Sequence, residues 1–256
     1  MYMGRVSASS GSASPESDVL RDIAGSRVLI TGLSASTGVD LARAFADLKT
    51  RLVVHTTDLS PEVTALVALL SQSASEIKLY TDPISSADAS VRFAQTAAQA
   101  YGGLDAVINL AEISNQELIP ITNDRAVDEL VYTKISPLAY LTQVTANRMR
   151  VLLNDGLILN VLTMPHPRTG RESAIAALAR TALTAMTQSE AKTWAEHGIR
   201  INGIGPRVVC GGRATPGACL TNEPDIAALA IYLSSRRGRA LSGHIFDADG
   251  VTERDE

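Results

Sequence analysis

Thr31-Gly32-Leu33-Ser34-Ala35-Ser36-Thr37-Gly38 places two glycines and four hydroxyl side chains on a short connection between an apolar run and an amphipathic one. Glycines there let the backbone turn tightly and bring bare N–H groups against a phosphate, at the positive end of the following helix. A strand-to-helix turn that binds nothing fits the same residues equally well. The two cysteines, Cys210 and Cys219, have no second pair or histidine cluster beside them, so they read as reduced thiols rather than metal ligands.

The surrounding pattern supplies the elements that would position such a loop. Strand-like and helix-like stretches alternate from Arg27 onward: strands at Val28–Thr31, Arg51–Thr56, Glu76–Thr81, Asp105–Leu110, Gly156–Thr163, Ile199–Ile204 and Gly243–Asp247. Helices fall at Gly38–Leu48, Pro61–Ser71, Ala87–Tyr101, Asp124–Leu153, a long segment ending at His197-Gly198, and Pro224–Ser234. In the long segment, Ile175, Leu178, Ala179, Ala182, Leu183 and Met186 form the expected buried face. This alternation predicts an α/β fold, a Rossmann-like doubly wound parallel sheet of seven strands in one domain over residues 26–256. Residues 1–25, rich in Ser, Gly and Ala, read as a flexible N-terminal extension.

Composition narrows the function classes. A net charge of −4 argues against a nucleic-acid or anionic-membrane surface. Apolar runs are broken by polar residues within about ten positions, too short to span a bilayer. The first residues lack the apolar stretch of a secretory signal, and the expected location is cytoplasmic.

The segment H-G-I-R-I-N-G-I-G-P (His197 to Pro206), the T-G-x-x-x-x-x-G loop and S-G-H-I-F-D-A-D-G near the C-terminus together resemble the short-chain dehydrogenase/reductase family over roughly residues 26–250. The resemblance implies NAD(P)-dependent oxidation or reduction and assigns cofactor positions to Gly32, Ser36, Gly38, Asp82, Asn109 and Pro206. Three of its expectations are departed from. Ser36 replaces a glycine, Glu112 stands where the family has glycine in N-N-A-G, and Arg207 follows Pro206 where glycine is usual. A carboxylate beside a diphosphate is repelled, so no tightly bound cofactor is expected, with NAD(P) disfavoured by Ser36, Glu112 and Arg207. Thr56 or Asp58 is the residue expected at the adenine ribose.

The family's chemistry uses a phenol, its pKa lowered by a lysine, to exchange a proton with the substrate oxygen while hydride moves. Alignment puts its asparagine on Lys134, its serine on Thr163, its tyrosine on Ala176 and its lysine on Arg180. Alanine carries no proton, and arginine stays charged at any useful pH. Tyr132 and Tyr140 are expected in core or interface roles, and His166 as a solvated loop histidine. Only Arg207 to Asn222 separate Pro206 from the next helix, too few residues for the family's substrate lid.

Retained scaffold with lost chemistry implies a non-catalytic subunit pairing with an active short-chain dehydrogenase, in a heterotetramer such as the hydroxyacyl-CoA dehydrogenase of benzylsuccinate degradation, or otherwise a homo-oligomer. Two alternatives remain: a stand-alone ligand-binding or regulatory protein, and an enzyme of non-redox chemistry at Thr163, Arg180 and Lys134.

Overall fold

The computed structural model describes residues 21–84, 86–208 and 219–251. Seven strands form one parallel sheet in the order β3-β2-β1-β4-β5-β6-β7. They are β1 Arg27–Thr31, β2 Arg51–His55, β3 Glu76–Tyr80, β4 Ala106–Glu112, β5 Gly156–Thr163, β6 Ile199–Pro206 and β7 Ile245–Ala248. The helices are α1 Val39–Asp47, α2 Pro61–Ser73, α3 Ala87–Gln99, α4 Asn115–Leu118, α5 Asp124–Val151, α6 Gly170–Trp194 and α7 Glu223–Ser234.

The apolar runs of the central strands follow from helices covering both faces. Successive residues point to opposite sides of the sheet. Val28 and Ile30 pack with Leu41, Phe45 and Ile226 of α1 and α7, whereas Leu29 joins Val53, Ala97 and Met149 on the face of α3 and α5. Edge strand β3 is the exception, with mostly exposed or half-buried residues.

Several polar groups inside this core are paired with one another. Thr31 donates to the Asn109 carbonyl oxygen at 3.1 Å, and the Asn109 amide donates to Asn160 Oδ1 at 2.9 Å. Thr142 closes the network on Asn160. At the other end of β1, the Arg27 guanidinium grips Asp105 through both carboxylate oxygens, at 2.6 and 3.0 Å.

Two details differ from the sequence pattern. β4 runs two residues further than expected, to Glu112, which stands opposite Thr163 in the β4–β5 register. On α6 the buried face is Ile175, Ala176, Ala179, Leu183, Thr187 and Ala191, while Leu178 is exposed. Alanine and threonine are buried there because the helix lies close against β6, whose Gly203 meets Thr187 and Leu183.

The helix ends at a 3-10 turn closed by Gly198, φ +70°, as the His-Gly pair predicts. Of the N-terminal extension, residues 1–20 lie outside the described residues, as does Cys210; Ile23 is buried in the core. No helix among the described residues is long and apolar enough to cross a membrane.

Candidate active site

Strand order reverses at β1, which has β2 on one side and β4 on the other. Such a switch point leaves a crevice beyond the carboxyl ends of the strands. Here it is a groove of about 500 Å³ bounded by Gly32, Ser34, Thr37, His55, Glu112 and Lys134.

The loop from Thr31 to Gly38 forms one wall. Gly32 has φ +77°, and a Cβ there would stand 2.2 Å from the Leu110 carbonyl oxygen. Gly38 caps α1 at φ +87°. These two positions therefore require glycine, and position 36 does not. The loop's polar groups are bound within the chain: Ser34 Oγ accepts from the amides of Ser36 and Thr37 at 3.3 and 3.0 Å. Ser36 Oγ donates to Glu112 at 3.2 Å, and Thr37 Oγ1 also donates to Glu112.

Beyond the end of β2, Thr56 and Asp58 differ in burial and in partners. Thr56 is buried with its hydroxyl on the Leu33 carbonyl at 2.6 Å, so it is spent inside the fold. Asp58 accepts from the amides of Ala35 and Ser60, both at 2.9 Å. The Ser60 amide first, then that of Ala35, holds its carboxyl below the usual carboxylate range. Asp82 contributes its backbone carbonyl to His55 Nε2 at 2.9 Å. His55 was not marked by sequence; burial pushes its pKa down and its Nδ1 has no partner among the described residues. Its position at the end of β2 was the available signal. Asn109 is fully buried, with both ends of its amide used in the core network.

The catalytic end is built differently. Ala176 is 1% exposed in an apolar cluster with Ile113, Leu138, Leu162 and Ile175. Arg180 is held by Asp247 and donates to the Pro206 carbonyl at 3.3 Å. Lys134 lines the groove but is tied to Glu117 at 2.6 Å. Burial raises the Glu117 carboxyl, and the hydrogen bonds from Lys134 and the Ser114 amide outweigh it, leaving a net lowering.

Thr163 is buried, and its hydroxyl has no partner among the described residues. His166 is not simply solvated: its Nδ1 meets Asp249 Oδ1 at 2.7 Å. Tyr132 and Tyr140 are exposed on α5 and neither lines the groove. Glu117, Asp247 and Asp249 escaped notice in the sequence because each acts by pairing with a residue distant along the chain.

The short chain dehydrogenase profile matches residues 26–215. The chain belongs to the short-chain dehydrogenase family. It is 22% identical to galactitol 2-dehydrogenase of Agrobacterium fabrum over 247 residues, covering 87% of this chain and 95% of that one. It is 26% identical to a 2-dehydro-3-deoxy-D-gluconate 5-dehydrogenase of Formosa agariphila, covering 90% and 94%. Among solved structures, a short-chain dehydrogenase/reductase of Serratia marcescens superimposes with a TM-score of 0.70 at 14% identity, over 91% of this chain and all of that one.

Membership overturns the expectation that no nicotinamide dinucleotide is held: the family, with dehydrogenases among its members, points to NAD(P). The geometry agrees on shape. Ser36, Glu112 and Arg207 were read as obstacles, yet the groove stays open along Gly32, Thr37, Ala111 and Glu112. Serine is tolerated at position 36 because its side chain is exposed and turns to Ser34 and Glu112. Arg207 N–H is on the Ala248 carbonyl at 2.8 Å, which seats that residue against β7. A dinucleotide in this groove would lie along Gly32, Ser34, Thr37 and Glu112, and it supplies hydride acceptance or donation when bound.

Proposed function

We propose that this short-chain dehydrogenase works as the non-catalytic subunit of an NAD(P)-dependent oxidoreductase, beside an active relative that carries out proton and hydride transfer. The observation that carries this reading is Ala176, an apolar residue 1% exposed at the family's phenol position. A phenol there would be the group that takes the substrate's proton, and among the described residues no tyrosine lines the groove to substitute for it.

The neighbouring cations have other work. Arg180 joins α6 to the end of β7 through Asp247, and Lys134 joins α5 to Glu117 at the end of α4. Lys134 and Glu117 both line the groove, so that pair holds its wall, whereas Arg180 ties α6 to β7 away from it. Arg180 stays charged and cannot relay a proton, and Lys134 is engaged by Glu117. The reading as an enzyme of altered chemistry at Thr163, Arg180 and Lys134 has less support, because the groove is lined by Lys134 and by neither of the other two.

The test is purification of the tagged chain from its native source, followed by assay alone and in whatever assembly it brings down, with NAD+ or NADP+ and galactitol or gluconate as probe alcohols. The expected result is a second, tyrosine-bearing short-chain dehydrogenase in the same particle and turnover only in its presence. Turnover by the isolated chain, or a homo-oligomer that ignores such a relative, would sink the reading.

A further inference from the structure

Three carboxylates from separate elements converge on one loop. Asp58, beyond β2, accepts from the Ala35 amide at 2.9 Å. Glu112, at the end of β4, accepts from the hydroxyls of Ser36 and Thr37. Glu223, the first residue of α7, accepts from the Asp40 amide in the first turn of α1 at 3.0 Å. The first helical turn and the hydroxyls before it are the donors that such a loop offers to a phosphate. In this chain the Ala35 and Asp40 amides and the Ser36 and Thr37 hydroxyls are engaged by the chain's own carboxylates.

We propose that Glu112 and Glu223 hold the phosphate cradle in the absence of ligand, and that a nicotinamide dinucleotide enters by exchange, its diphosphate taking over their donors. The inference rests on the dinucleotide groove and not on whether the chain turns over substrate. Glu112 is placed to have the larger effect, since it lines the groove while Glu223 approaches the same loop from the opposite side, where Thr37 and Leu110 separate the two spaces. Exchange has an electrostatic reason: a carboxylate left within a few ångströms of a diphosphate is repelled by it, and removal of that carboxylate's charge relieves the repulsion. It also has a hydrogen-bonding reason, because the Ser36 and Thr37 hydroxyls that now donate to Glu112 become available to the phosphate oxygens.

Three forms of the full chain decide the matter: the natural sequence, Glu112→Gln and Glu223→Gln. Each is titrated with NADH by fluorescence and with NAD+ by calorimetry, and with adenosine as a probe carrying no phosphate. We expect Glu112→Gln to tighten dinucleotide binding about tenfold and Glu223→Gln to tighten it by a smaller factor, with adenosine binding unchanged. Dinucleotide affinity that is unchanged or weaker in both variants overturns the proposal. A parallel gain for adenosine does so too, because the effect would then not be at the diphosphate, and so does failure of every form to bind a dinucleotide. Should Glu112→Gln not fold, Glu112→Asp replaces it: the shorter arm withdraws the carboxylate from the hydroxyls and is expected to shift affinity in the same direction.

Discussion

The two ends of the groove have fared differently. At the nucleotide end the backbone that a cofactor would meet is intact, since Gly32 and Gly38 keep the left-handed conformations that their neighbours demand. At the other end the backbone is equally well kept, with α6 packed on β6, and Ala176 and Arg180 stand where the family resemblance places a tyrosine and a lysine. Backbone geometry is enforced by packing and is lost only with the fold. Ala176 is small enough to sit within the apolar cluster, and Arg180 is held by Asp247, so neither residue disturbs the strands beneath.

That contrast can be broken or sharpened by substitution. The largest effect is expected for Gly32→Ala, where a left-handed φ and a Cβ 2.2 Å from the Leu110 carbonyl oxygen combine; urea unfolding should show a loss of about 3 kcal/mol or more. Asn160→Ala should cost about 2–3 kcal/mol in the same measurement, because it strands the buried Asn109 amide and the Thr142 hydroxyl.

The double change Ala176→Tyr with Arg180→Lys should lose about 1–3 kcal/mol from crowding the apolar cluster around position 176. It should still give no NAD+-dependent oxidation of galactitol or gluconate; measurable turnover would erase the contrast between the two ends.

Last comes pH. The folded chain lowers the pKa of His55 by burial, with the Asp82 carbonyl pulling the other way, so the unfolded chain binds the proton more readily. Stability should therefore fall as pH drops below the ordinary histidine value of about 6.5 and be indifferent to this group above it. Urea midpoints on either side of that value, compared with those of His55→Gln, isolate the effect.

The fold was legible because its signals are local and repeated. Seven apolar runs alternating with amphipathic ones announce a parallel sheet, and Thr-Gly and His-Gly mark the turns where chain direction changes. The placing of Ala176 and Arg180 on one helix was also legible, since both lie at a fixed distance from His197-Gly198. What the sequence hid were partnerships across the sheet. Glu117 with Lys134 and Asp247 with Arg180 are ion pairs between residues 17 and 67 positions apart, and His166 meets Asp249 by a hydrogen bond across 83 positions. Glu112 was visible as a charge in the wrong place, but its engagement by Ser36 and Thr37 depends on β4 continuing two residues beyond its apolar run. Leu178 was misplaced because spacing alone cannot tell a wide apolar stripe from the narrower face that small residues make against a close neighbour.

The strand order also constrains how the polypeptide is born. β1 is complete at Thr31, yet one of its two neighbours, β4, spans Ala106–Glu112. A ribosome must therefore release all of β2, β3 and the helices between before that flank of β1 can be covered. Until then Leu29 and Ile30 have a partner along one side alone, and a fragment halted before residue 106 carries the middle of its sheet as an open edge.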